Sequence, residues 1–314
     1  MPDQMTAGAT TDRSSLARRD GHRAFVAGLG PDVLRGLRTR ADAPGLRHLA
    51  GHLVLIAVFG VWIARGWPLW QGVLVAQGVA ICFLFTLAHE ATHKTPFATG
   101  WLNEWAGRLA GFTILLPFGW FRYFHLAHHR HTNIPGRDPE LLAGGHPQTR
   151  AAFAWHVTGL PYWGGMARQV LRNALGGDPG DFVPARARRR IRVEARWMLA
   201  GHALAGLSLA LSPLVLWLWW LPCLLGQPFL RLYLLAEHGR CPFVADMLEN
   251  SRTTHTNRMV RFLAWNMPYH AEHHSLPDVP FHRLPELHAL MRGWHRVTAP
   301  GYTAFTADYA ARLR

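Results

Sequence analysis

The stretch FRYFHLAHHRHTN, residues 121–133, carries His125, His128, His129 and His131 within seven positions. On a helix, His125, His128 and His129 stand at i, i+3 and i+4, so all three project from one face. A single buried imidazole is an ordinary core residue. Three on one stripe beside Arg122 and Arg130 make a poor core, because every buried ring needs a partner. A metal ion supplies one.

Two other stretches repeat the arrangement. HEATH places His89 and His93 at i, i+4, and HAEHH places His270, His273 and His274 at i, i+3, i+4. These three clusters hold eight imidazoles. A zinc site takes three or four protein ligands, so eight suit two ions of higher coordination number. Imidazole serves iron, copper, nickel and zinc alike, and ligand type alone does not choose among them.

The rest of the chain explains where such clusters could lie. Of 314 residues 49% are hydrophobic, and the apolar residues are gathered in long runs, the pattern of a membrane protein. His48–Ala64 is about long enough to span; ARGWP follows, and Trp67–Ala88 returns and ends directly in HEATH. Later, Trp197–Leu211 runs out, Ser212-Pro213 turns, and Leu214–Leu235 comes back to end in Glu237 and His238. Both hairpins therefore deliver histidine to one side. Residues 101–121, broken by Arg108, Gly111 and Pro117, read as an interfacial helix, and 151–167 as an interfacial helix or a short span. Residues 133–150 and GGDPGDFVP read as loops.

The formal charge is +14, from 33 basic and 19 acidic residues. Nucleic acid is the usual partner for such a balance, but in this chain basic residues collect where a membrane protein faces the cytoplasm. With two hairpins returning to one side, Arg65 is the only one of the 33 in an outside loop. The basic run 186–196 reads as a contact with lipid phosphates, and Trp217, Trp219 and Trp220 as an interfacial belt. Cys82, Cys223 and Cys241 form no CxxC pair and no disulfide framework. No signal-peptide apolar core is expected near the start.

These readings predict an all-α integral membrane protein: four transmembrane helices in two hairpins, interfacial helices, and a cytoplasmic His-rich cap. The expected division is a partly disordered cytoplasmic segment over 1–46, a membrane domain over 47–290 and a tail over 291–314. HEATH also fits HExxH, the zinc metalloprotease signature, in which Glu90 would be the general base. That reading leaves the other two clusters unused. A non-catalytic metal-binding membrane protein is a further alternative.

The three boxes HxxxH, HxxHH and HxxHH, in this order and with these gaps, resemble the membrane fatty acid desaturase superfamily. FHLAHHRHTN followed by a DPE turn, RLYLLAEHG, and NMPYHAEHHSLPDVPFHRLP resemble its bacterial members, and the likeness covers roughly residues 45–290. The resemblance implies a non-haem di-iron oxygenase whose two irons are held by His89, His93, His125, His128, His129, His270, His273 and His274. Related enzymes have a further ligand histidine after the fourth span, and His238 matches it. Some acyl-CoA desaturases place an Asn four residues before that histidine; this chain has Leu234 there.

The implied reaction removes two hydrogens from a fatty acyl or other long apolar chain, using O2 and two external electrons; a hydroxylase or ketolase of the same architecture is the alternative. No HPGG haem motif is present, so the electrons are expected from a separate ferredoxin or cytochrome b5-type donor. Membrane lipids are the other expected partners, with no nucleic acid, and the His boxes and both termini are expected in the cytoplasm. Glu90, Glu237, Glu272, Asp138 and Asn266 are near enough in sequence to orient ligand rings. His131, His255, His282 and His288 are read as supporting or surface residues, and His22, His48, His52, His146, His156 and His202 as outside the metal set.

Overall fold

In a computed structural model the structure describes residues 21–22 and 24–314; the disorder expected near the N-terminus falls largely outside them. The described residues are mostly helical. A short α1 (Pro31–Leu37) precedes α2 (Asp42–Ala64), which turns through residues 65–69 into α3 (Trp70–Cys82) and α4 (Leu84–His93). Next come α5 (Gly100–Thr113), α6 (Phe118–His131), α7 (Pro139–Leu142), α8 (Arg150–Val157), α9 (Leu160–Leu175) and α10 (Ala185–Ser208). A π-helical segment (Leu216–Trp220) leads into α11 (Leu221–His238). The C-terminal part holds β1 (Thr253–Thr254), α12 (Arg258–Leu263), α13 (His270–Ser275), α14 (Leu284–Leu290), β2 (Thr298–Ala299) and α15 (Tyr302–Ala311).

Two stretches are long and apolar enough to cross a bilayer, Pro31–Ala64 and Trp70–His93. On α2 the outward side chains are themselves apolar: Leu53, Val54, Val58 and Val61 are all exposed. A water-facing helix would carry polar residues there. Trp70–His93 is the more enclosed of the two, because α11 lies against it.

That crossing is unusually close. A Cβ on Gly78 would stand 1.9 Å from the Pro222 carbonyl oxygen, and one on Gly226 would stand 2.1 Å from the Gly78 carbonyl carbon. The two glycines let the backbones touch, the same use small residues have between helices in lipid. His89 and His238 are near the ends of the paired helices on the same side.

The basic run 186–196 does not stand alone: it forms the first turns of α10, continuous with the apolar part of that helix. Some of its charges pair with neighbouring helices. Glu104 on α5 receives Arg108 at 2.6 Å, Arg122 of α6 at 2.6 Å and Arg190 of α10 at 2.9 Å. Glu194 accepts the Gly119 N–H at 2.7 Å, so a carboxylate meets the positive end of α6. These contacts hold α5, α6 and α10 in one arrangement and fix how α6 presents its histidines.

The C-terminal part is tied to the helices before it at both ends. His52 donates through Nε2 to the Ala80 carbonyl at 2.8 Å, and Trp265 donates to its Nδ1 at 3.3 Å. His48 donates to the Phe262 carbonyl at 2.7 Å. His48 and His52 are therefore structural links between α2, α3 and the C-terminal part. Residues 291–314, expected as a tail, pack into the structure: β2 pairs in parallel with β1, and Phe305 and Tyr309 of α15 are buried with Leu235 and Ala236 of α11. Arg252 lies over the Phe305 ring at 4.5 Å and donates to the Ala236 and Gly239 carbonyls at 2.5 and 2.8 Å. It satisfies carbonyls that the end of α11 leaves without helical partners, right beside His238.

Candidate metal centre

Four elements bring nine histidines to one place. α4 ends at His93, where Lys94 takes a left-handed conformation (φ 59°) and stops the helix. α6 presents His125, His128 and His129, α11 ends at His238, and α13 carries His270, His273 and His274. The rings fall into two sets. Nitrogens of His89, His93, His125, His129 and His273 all lie within 4.8 Å of one another, as do those of His128, His238 and His274. His270 joins the second set, its Nε2 standing 2.9 Å from Nε2 of His238.

In the first set the Nε2 atoms form a chain: His93 to His125 at 2.9 Å, His125 to His129 at 2.9 Å, and His129 to His273 at 3.2 Å. In the second, His128 and His238 face each other through Nε2 at 3.2 Å. Three outward nitrogens have hydrogen-bond partners elsewhere, and those of His270 and His273 lie beside carboxylates without a hydrogen bond. His128 Nδ1 donates to Asp138 at 2.9 Å, and His238 Nδ1 donates to the Asn250 carbonyl at 3.0 Å. His274 Nδ1 lies 3.2 Å from the Thr132 hydroxyl, His270 Nδ1 lies 3.3 Å from Glu237, and His273 Nδ1 lies 3.6 Å from Glu90.

A neutral imidazole whose Nδ1 carries the proton has a bare lone pair on Nε2. The arrangement therefore aims lone pairs at common points. Both nitrogens of His89 and Nε2 of His274 are buried without a hydrogen-bond partner. Buried polar atoms are normally paired, and cations between the rings would pair these. Burial pulls His125, His129, His270, His273 and His274 well below the usual imidazole range, so the rings are neutral and able to bind metal. At His128 burial acts the same way, but the nearby carboxylates of Glu140 and Asp138 outweigh it and leave that ring more basic than usual. The donor set fits two metal ions.

Glu272 and Asn266 do not support these rings. Glu272 is wholly buried and accepts from His288, from His295 at 2.7 Å and from Thr253 at 2.6 Å. Burial alone would raise its carboxyl, but those donors bring it down to about 2. Asn266 donates to the Phe281 carbonyl at 3.0 Å. Two supports escape sequence reasoning. The Asn250 contact uses a loop carbonyl, which any residue could supply, and the Thr132 contact crosses 142 positions to His274.

Beside the rings lies a cavity of about 230 Å³. His89, His125, His128, His238 and His270 form one wall, and Leu116, Trp120, Phe121, Phe124 and Met166 give it an apolar side. Leu234 faces this cavity too. Glu90 does not line it: its carboxylate lies behind the rings and accepts from Thr95 at 2.9 Å and from the Phe281 N–H at 3.0 Å. A protease general base would have to face the substrate, so the HExxH reading loses its key residue.

Comparison with known proteins agrees with the boxes. The profile of the fatty acid desaturase family matches residues 64–303. The chain belongs to the fatty acid desaturase family. Among similar proteins, the mouse sphingolipid delta(4)-desaturase/C4-monooxygenase DES2 is 27% identical over 253 residues, covering 77% of this chain and 72% of the mouse protein. The Drosophila melanogaster sphingolipid delta(4)-desaturase DES1 is 25% identical, covering 84% and 79%. The sn-1 oleoyl-lipid 12-desaturase of Arthrospira platensis is 22% identical, covering 74% and 70%. As a member of this family the desaturase is a membrane-associated oxidoreductase of lipid metabolism.

Proposed function

We propose that this desaturase is a di-iron oxygenase that introduces a double bond into a long lipid chain, using O2 and two electrons from a separate donor. The observation that carries the reading is the convergence of nine histidines from four elements against one apolar cavity. His89, His93, His125, His129 and His273 would hold one iron, and His128, His238, His270 and His274 the other. Bound iron would supply the dioxygen activation needed to break an inert C–H bond. The protein's own part is to keep the imidazoles neutral, fix their orientation, exclude water and hold the chain beside them. Phe121, Phe124, Trp120 and Leu116 do the last two by presenting apolar surface to the chain. Leu234 adds to that surface in this reading, and the second iron is held without an amide from that position.

Asp138 orients His128 and raises its basicity, while also accepting N–H groups of Asn133 at 2.8 Å and Glu140 at 2.9 Å. Asp138→Asn keeps the shape and removes the charge. It is expected to weaken metal binding about 10–100-fold, measured by chelator competition. Affinity equal to wild type would remove Asp138 from the account.

In the membrane we place four spans, with α10 and α11 forming the second hairpin and the His-rich cap in the cytoplasm. Exposed Leu204, Leu207, Leu211 and Phe229 on the second hairpin support this. The Arg-rich cytoplasmic face would steer an acidic carrier, a ferredoxin or a cytochrome b5-type protein, toward the cap. Lipid profiling by mass spectrometry tests the activity. Cells making the intact protein should accumulate unsaturated lipids that are missing with His128→Ala; identical profiles would refute the reading. A hydroxylase is the second reading, favoured by the monooxygenase half of the mouse relative's name. Its product would gain an oxygen atom where a desaturase product loses two hydrogens.

A further inference from the structure

A further group of ligand-type side chains lies outside the nine histidines. Glu272 stands on α13 between His270 and His273, yet its partners are Thr253, His288 and His295. His288 comes from α14 and His295 from the segment just before β2. One ligand atom from each of Glu272, His288 and His295 lies within 4.8 Å of the other two. Nδ1 of His288 and Nε2 of His295 meet the same carboxylate oxygen, Oε1, the latter at 2.7 Å. Each of the three is held from behind. Oε2 of Glu272 accepts from the Thr253 hydroxyl at 2.6 Å, which leaves Oε1 to the rings. The His288 ring stacks on that of Tyr269, with centroids 4.5 Å apart. Arg296, next to His295, pairs with buried Asp246 at 3.0 Å. Outer contacts of this kind orient the ligands of a metal.

We propose that Glu272, His288 and His295 form a separate metal site, which takes one zinc ion in addition to the ions of the two histidine sets. Hydrogen bonds alone could hold the cluster, with each ring donating an N–H. They do not account for two rings from different elements converging on one oxygen while its neighbour is already occupied. Two imidazoles and one carboxylate are a zinc donor set, and water takes the fourth position. Room for that water lies on the outer side, where the side chains of His288 and His295 are 18% and 11% exposed and Glu272 is wholly enclosed. Zinc takes the place of the ring protons directed at Oε1, which leave to solvent. Donors around a tetrahedral zinc stand about 3.3 Å apart, so the two rings draw back by roughly half an ångström. The site does not depend on which metals fill the histidine sets.

The consequence is mechanical. α13 has six residues, and three of them are His270, His273 and His274. A helix that short is not stable by itself. An ion held by Glu272, His288 and His295 ties α13 to α14 and to the segment leading into β2. It fixes the ligand-bearing helix from the side away from the box rings and takes no part in the chemistry.

Zinc titrated into the purified, full-length, iron-loaded enzyme tests this. Wild type should take up about one zinc per chain with its iron content unchanged, and should melt at a higher temperature with zinc than without it. His295→Ala should bind zinc at least about tenfold more weakly and lose the zinc-dependent rise in melting temperature, while keeping its iron. X-ray absorption at the zinc edge of the wild-type protein should show two imidazoles in a mixed nitrogen and oxygen shell. That measurement needs no variant, so it decides the matter even if His295→Ala does not fold. Equal zinc affinity in wild type and folded His295→Ala, a zinc shell of nitrogen alone, or no zinc uptake by the iron-loaded enzyme would overturn the proposal.

Discussion

His273→Ala is expected to abolish activity, with a loss of at least about a hundredfold, larger than that for orienting groups around a metal. The ring is wholly buried and closes the first histidine set, its Nε2 lying 3.2 Å from that of His129. Its other nitrogen faces Glu90 at 3.6 Å. In the proposed centre alanine would remove a ligand, and it leaves a buried carboxylate facing a hole. Metal content should fall by about half, since His128, His238, His270 and His274 remain to hold the second ion. Turnover and metal analysis of the same preparation read both effects. Full activity with His273→Ala would show that the first set does not serve catalysis.

Gly78→Val is expected to cost about 3 kcal/mol of stability or more, although residue 78 is nowhere near the histidines in sequence. The nearest obstacles to a side chain are backbone atoms, the Pro222 carbonyl oxygen at 1.9 Å and its carbon at 2.7 Å. No rotamer change relieves such a clash, so α3 and α11 must move apart. His89 lies on α4, which continues directly from α3, and His238 ends α11, so the two histidine sets would lose their relation. Thermal unfolding in detergent measures the first effect and metal content the second. Gly78→Val melting at the wild-type temperature would show that the close crossing is not needed.

The box histidines were legible because helical geometry forces i, i+3 and i+4 onto one face. Their division between two sets was not. A helix advances about 100° per residue, so His128 stands about 60° round the axis from His125 and about 100° from His129. Those angles send His125 and His129 to one set and His128 to the other. The sequence carries the angles but not the positions of α4, α11 and α13 that turn them into a partition.

The first hairpin was legible because apolar runs of that length have few other uses. Within the second, the boundary between basic run and span dissolves, since Arg side chains and apolar ones coexist on one continuous α10. The C-terminal residues looked like a tail because a short strand and one helix give little periodic signal. The pairing of Thr253 with Thr298 and the burial of Phe305 and Tyr309 join them to the rest of the structure.

Metal analysis of the purified, full-length desaturase bears most directly on the central claim. The account predicts about two irons per chain, each surrounded chiefly by nitrogen in X-ray absorption. Folded, active protein holding about one zinc, or active protein with no transition metal, would contradict it.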